Sequence, residues 1–227
     1  MDDEIGEVKP SDVTFFQKLK ESENSSVFKV AVRGRICVMK VYHDRGPSDC
    51  DPPDREVNLF VCESTAYRRM KAKGLCKRGV VPDFYGTVVN IQPTLWPDLH
   101  MFLKDKLPPN AVLIEYIPNM QPIDLSNFSE HYLAKLSQIL NDIHQARVLH
   151  GDPKPRNMMI SWGEQDRVLW IDFDSAQTFS EDSLSPRQET WVKDEVEMMD
   201  YFVEALAQDY EEGRLNRTYS YYYDWFV

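Results

Sequence analysis

The sequence predicts an α+β fold in which an antiparallel sheet with one helix precedes a reduced, mainly helical part. Three observations carry this. Three β-rich runs fall before residue 43, the strongest amphipathic periodicity begins only at Ser129, and no internal repeat is present. Strands grouped before helices indicate segregated layers, not alternating βαβ units. The linker Pro118–Pro122 then divides the chain into a β-rich lobe, residues 13–117, and a helical lobe, residues 118–227. Residues 1–12 are acidic and expected to be flexible.

The first strands are read from VTFFQKLK, VFKVAV and ICVMKVY, the last two joined by a tight hairpin at Arg33-Gly34-Arg35. An Asp/Pro/Gly-rich loop, Asp44 to Asp54, interrupts the pattern. A helix is expected from Arg55 to Ala72, with Val57, Phe60, Val61, Tyr67 and Met70 near helical spacing. VPDFYGTVVN and AVLIEYI read as strands on either side of a Pro-containing excursion through Trp96 and Leu107. The segment SEHYLAKLSQILNDIHQARV follows, its apolar stripe running through Leu133, Leu136, Ile139, Leu140 and Ile143, with Ser129 as N-cap. Two short strands, MMI and VLWI, bracket the turn SWGEQDR. The last long helix is expected from Glu189 to Glu212, burying Val192, Val196, Met199, Phe202, Val203 and Leu206.

Composition narrows the function. With 227 residues and 42% hydrophobic content the chain can bury a real core. A net charge of -11 argues against a nucleic-acid partner, which needs clustered cations for the phosphate backbone. One basic run stands out, Arg68, Arg69, Lys71, Lys73, Lys77 and Arg78, and reads as a solvated helix end. Cys37, Cys50, Cys62 and Cys76 show neither CxxC pairing nor zinc-site spacing, as expected of reduced thiols. The polar start is no signal peptide and no apolar run is long enough to span a bilayer, so a cytoplasmic protein without a membrane partner is expected.

Hydrophobic patterning does not account for the stretch VLHGDPKPRNMMI and its sequel VLWIDFDSAQ. Phosphoryl transfer from ATP needs a base for the attacking hydroxyl, oxygen ligands for Mg2+, a cation on the phosphates and a clamp over them. Asp152 can take or orient the hydroxyl proton, and Asn157 offers a neutral carbonyl oxygen to Mg2+. Asp172, at the end of a short apolar strand, offers the hard anionic oxygen this cation prefers.

These residues resemble the protein-kinase-like superfamily. His150-Gly151-Asp152 with Asn157 is similar to the catalytic loop in its aminoglycoside-phosphotransferase and atypical-kinase version, and Asp172-Phe173-Asp174 resembles the metal-binding motif. The resemblance spans Val13 to Leu206 and implies a bilobal fold, ATP and Mg2+ as cofactors, and a hydroxyl-bearing acceptor. It assigns Lys40 on the third strand to the phosphates and a helix glutamate as its partner. Glu63 is preferred because ESTAY resembles a run common in the superfamily, with Glu56 in reserve, seven residues away on the same stripe. LIEYI resembles the hinge, where backbone groups of Glu115 and Ile117 would meet adenine. Asp194 resembles the helix aspartate that braces the catalytic loop. Lys154, two beyond Asp152, is placed as in serine/threonine protein kinases, where it contacts the transferring phosphoryl group.

The departures are equally specific. Between the first strands stands KESENSSVFKV, without the glycines that let backbone N–H groups approach phosphates, and Asn24, Ser25 and Ser26 are the expected substitutes. Asp174 replaces a glycine and could add an oxygen near a second Mg2+. The helices of a peptide-docking platform are missing. An atypical serine/threonine kinase is the first reading. A small-molecule kinase of the aminoglycoside or choline type, or a pseudokinase scaffold that binds nucleotide without turnover, is the alternative. The aromatic tail RTYSYYYDWFV is expected to pack on its own domain, with docking to a protein partner as the other reading.

Overall fold

A computed structural model describes residues 4–163 and 166–223, with side chains through 220. Strands β1 (Val13–Glu21), β2 (Ser25–Val32) and β3 (Arg35–Tyr42) form a meander, and Arg33 and Gly34, both at positive φ, make the tight hairpin between the last two. Helix α1 (Leu59–Ala72) comes next, then β4 (Phe84–Val88) and β5 (Asn110–Glu115) complete an antiparallel sheet of order β1-β2-β3-β5-β4. Beyond it come β6 (Met120–Pro122), α2 (Glu130–Gln145), β7 (Val148–Leu149), β8 (Met158–Ser161), β9 (Arg167–Trp170), β10 (Gln177–Thr178), α3 (Pro186–Glu212) and α4 (Arg217–Tyr223). β6, β8 and β9 form a small sheet and β7 pairs with β10. The fold is α+β with an antiparallel sheet, as expected. No helix among the described residues is long and apolar enough to cross a membrane.

Register decides what each face of the large sheet presents. Lys40 lies between Val27 and Val112, and Val38 pairs with Ile114, so these residues share one face. Phe28, Val30, Met39, Val41 and Leu113 point the other way into a separate apolar cluster. That cluster is closed by the excursion between β4 and β5, whose two 3-10 turns bury Trp96, Leu99 and Phe102. Of the acidic N-terminal segment, expected to be flexible, residues 1–3 lie outside the described residues, and the part from residue 5 is seated on the same sheet. The Ile5 N–H donates to Tyr85 O at 2.6 Å, and Ile5 and Val8 pack on the outer cluster. On the inner face a continuous core runs from Tyr67, Phe84 and Val112 through α2 to Met199 and Phe202 of α3.

Caps explain two shifted boundaries. Helix α1 starts at Leu59 and not Arg55, because the Asn58 side chain accepts from the Val61 N–H at 3.2 Å. Glu56 therefore precedes the helix and caps it, accepting from the Val57 and Asn58 N–H groups. The expected stripe shifts too: Val57 and Val61 are exposed while Cys62, Glu63, Ala66, Tyr67 and Met70 are buried. Helix α3 begins at Pro186 through a Ser185/Gln188 capping box, one turn before the expected Glu189. Its buried side carries Glu195, Ala205 and Asp209 beside Met199, Phe202 and Leu206, with Val192, Val196 and Val203 only partly covered. The turn at Glu164–Gln165 and the tail end Asp224–Val227 lie outside the described residues; the tail's start packs on α3, where buried Asp209 accepts the N–H groups of Asn216, Arg217 and Thr218.

If the excursion closes the outer sheet face as a structural element, Phe102→Ala should lower unfolding stability by about 3–5 kcal/mol. Urea denaturation checks this, and an unchanged midpoint would mean the excursion is energetically detached.

Candidate active site

The face carrying Lys40 walls a cavity of about 440 Å3. Ser25 and Val27 of β2, Val38 and Lys40 of β3, and Ile114 at the end of β5 line one side, and Ile171, Asp172 and Asp174 line the other. Glu115, Tyr116 and Ile117 close its end. The volume suits a small organic ligand.

Lys40 is 7% exposed and sits among three carboxylates. Its Nζ lies 3.0 Å from Glu63 Oε2 and 2.9 Å from Asp174 Oδ2, and donates to Asp172 Oδ1. The choice between Glu56 and Glu63 is thus settled by position: Glu63, buried on α1, meets Lys40. Burial alone would favour a neutral amine, but the charges of Glu63, Asp172 and Asp174 outweigh it and raise the Lys40 pKa well above its ordinary value. Burial also opposes ionisation of Asp172, yet the Lys40 charge and hydrogen bond win and hold its carboxyl down at about 2. Glu63 goes the other way. Burial, reinforced by the charges of Asp172 and Asp174, lifts it to about 7 despite Lys40. Three carboxylates facing one ammonium leave two negative charges uncompensated, and the most buried acid is the one driven toward its neutral form.

The Asp-Phe-Asp segment is held from beneath. Asp172 adopts φ +67°, and the N–H of fully buried Phe173 donates to Glu63 Oε1 at 3.2 Å. The Phe173 ring packs edge-on against Tyr67, which stacks on Phe84. His150, also fully buried, bonds Ile171 O through Nε2 at 3.1 Å and packs against Trp170 and Phe173.

The residues of the His-Gly-Asp loop form a second group beside the first. Asn157, 2% exposed, donates through Nδ2 to Asp152 O at 2.9 Å and Asp152 Oδ2 at 2.8 Å. Its backbone carbonyl accepts from the Ile171 N–H at 3.1 Å, which ties this loop to the strand end carrying Asp172. Lys154 Nζ is 3.2 Å from Asp152 Oδ1, and Arg156, which the sequence reading passed over, donates to Oδ2 at 2.7 Å. Neither Asp152 nor Asn157 lines the cavity; their loop reaches it through the bond that the Ile171 N–H, at the wall, donates to the Asn157 carbonyl.

Gly151 has a steric reason to be glycine. Its φ is +80° and an added Cβ would lie 2.2 Å from Ser175 O, well inside contact distance. This close approach locks the loop to the segment after Asp174.

Two placements correct the sequence reading. Asp194 is exposed, and the neighbouring Glu195 braces the loop: its carboxylate accepts the N–H groups of His150 at 3.0 Å and Gly151 at 2.7 Å, and pairs with His144 Nε2 at 2.6 Å. The signal was present, because Glu195 shares the i, i+4, i+7 face of Met199 and Phe202 that the helix buries. Ser26 also departs from expectation. Alternation along β2 sends its fully buried side chain to the outer face, so its hydroxyl is not in the cavity, whereas Ser25 is at the wall. The glycine-free turn needs no glycine: residues 22–24 avoid positive φ, and Ser22 Oγ accepts the N–H groups of Asn24 and Ser25. Lys20, Ser22 and Asn24 join the wall there.

The residues fit Mg2+ by charge and donor type, since Asp172 and Asp174 offer carboxylate oxygens in a site of excess negative charge and Asn157 offers a neutral amide oxygen. Among the described residues no three His, Cys, Asp or Glu side chains cluster as a complete metal site. An ion whose coordination shell is completed by water and phosphate oxygens does not require one.

The order and geometry of these residues fit the protein-kinase-like superfamily. A model of the family described as a lipopolysaccharide core biosynthesis protein (WaaY) matches residues 108–208. That span runs from the start of β5 into α3 and contains Asp152, Asn157, Asp172 and Glu195. No curated protein matches the chain.

Two measurements check the site. Gly151→Ala should cost at least ~2 kcal/mol through the forbidden φ and the clash with Ser175, and a neutral effect would show that the loop relaxes freely. Because the folded-state pKa of Glu63 is raised, folding takes up a proton between pH 4.5 and about 7, and that contribution is full at the acid end and lost as pH rises through the upper value. From roughly pH 5 to pH 8, the unsubstituted protein should lose on the order of 1–3 kcal/mol of stability relative to Glu63→Gln. Parallel pH profiles for the two proteins would contradict this.

Proposed function

We propose that the chain transfers the γ-phosphoryl group of ATP, with Mg2+, to a hydroxyl acceptor. The observation that carries this reading is the excess of negative charge around Lys40, at the wall of a nucleotide-sized cavity. Bound Mg2+ would neutralise charge on the phosphates. Asp172, Asn157 and Asp174 would hold it. Lys40, oriented by Glu63, would face the phosphate oxygens, with Ser25 at the same end. The backbone at Glu115 and Ile117 would meet the adenine edge. Asp152, steadied by the Asn157 amide, would orient the acceptor hydroxyl and receive its proton.

For the acceptor, a saccharide hydroxyl is favoured, supported by the description of the matching family model. A serine or threonine hydroxyl on a protein is the second reading, favoured by Lys154 two residues beyond Asp152 and 3.2 Å from its carboxylate. A two-lobed arrangement hinged near Pro118 and a cytoplasmic location with access to ATP belong to the same proposal.

Thermal-shift measurements with ATP and Mg2+ against ATP and EDTA test the binding half, and turnover of γ-labelled ATP with saccharide, aminoalcohol and protein acceptors tests the transfer half. Metal-dependent stabilisation is expected and should vanish in Asp172→Ala. Asp152→Asn should keep the stabilisation while lowering kcat by ~10²–10⁴-fold. Equal stabilisation with and without metal, or turnover indifferent to Asp172→Ala, would leave a nucleotide-binding scaffold or a different activity.

A further inference from the structure

We propose that a second cavity, of about 700 Å3, binds a small phosphate-bearing anion. Four cations reach it from separate elements: Arg35 at the start of β3, Lys71 in the last turn of α1, Lys77 in the following loop, and Arg167 at the start of β9. Only two carboxylates, Asp83 and Glu115, share its wall. Arg167 holds Glu115 through two bonds of 2.6 and 3.0 Å, and Lys71 Nζ lies 3.3 Å from Asp83 Oδ1. Both acids are therefore already engaged.

Arg35 and Lys77 are not engaged in this way. Both are exposed, and no carboxylate among the described residues pairs with either. The Arg35 guanidinium lies 4.9 Å from the Tyr85 ring centroid, which orients it at the rim without cancelling its charge. Two positive charges thus stand uncompensated at one cavity of a chain whose net charge is -11.

The basic run noted in the sequence accounts for part of this. Arg69 and Lys73 turn to Glu181 and Arg78 to Asp142, while Lys71 and Lys77 face the cavity. The floor is fixed as well. Gly79, at φ +70°, brings its backbone close enough to Arg167 for its carbonyl to accept from Nε at 3.3 Å, and a Cβ there would crowd that nitrogen. Two uncompensated cations at the rim, over a guanidinium already held by Glu115 and Gly79, suit a dianion with tetrahedrally disposed oxygens better than a single planar carboxylate.

The test is titration calorimetry of the full chain with inorganic pyrophosphate in EDTA, comparing the unsubstituted protein, R35A/K77A and D172A. The double substitution removes two exposed side chains, so folding is preserved. Saturable binding is expected, weakened about tenfold or more by R35A/K77A and retained in D172A. Absence of saturable binding, equal affinity in R35A/K77A, or loss in D172A, which would put the anion in the nucleotide cleft, each overturns the proposal. Neither Mg2+ nor turnover enters the readout, so its failure and that of the phosphotransfer reading are separable.

Discussion

One buried ammonium organises this molecule. Lys40 is drawn into the protein by strand alternation, and it is kept charged there by carboxylates from two distant parts of the chain. Without these carboxylates the ammonium would stand unpaired in a poorly solvated site, so α1, β3 and the segment after β9 are bound to one another electrostatically as well as by packing. The tie is unbalanced, with three acids against one base. That imbalance makes the cluster receptive to a cation, and it also makes Glu63 the acid most easily protonated.

A second level of organisation is built almost wholly from buried polar groups. Glu195 takes the backbone N–H groups of His150 and Gly151, and His144 occupies the same carboxylate from α2. Buried N–H groups left without acceptors are costly, so α3 and the loop must form together. Gly151 permits this by removing the Cβ that would strike Ser175. His150 and Phe173 then fill the space between loop and sheet, and the aspartates at 152 and 172 are fixed relative to each other through Asn157 and Ile171.

Much of this was legible in residue order. The strands around Lys40, the amphipathic helix after Ser129 and the His-Gly-Asp and Asp-Phe-Asp segments could be read because period and motif are local properties. Apolar periodicity does not fix a helix start that a cap decides: Asn58 and the Ser185/Gln188 pair each set one. Residue type points to Asp194, whereas helical phase puts Glu195 on the buried face. Ser26 was assigned to the cavity because neighbouring serines look equivalent until a strand sends them to opposite faces.

The sequence by itself determined the fold class, the acidic balance and the set of residues able to carry phosphoryl-transfer chemistry, since these depend on composition, periodicity and spacing. Only the tertiary structure decided which glutamate meets Lys40, which acid braces the His-Gly-Asp loop, and that basic residues from four elements surround one cavity. Those outcomes depend on contacts beyond the reach of local periodicity, such as Glu195 with Gly151, 44 positions apart, and Lys40 with Asp172, 132 apart, and no local pattern encodes the distance between such residues.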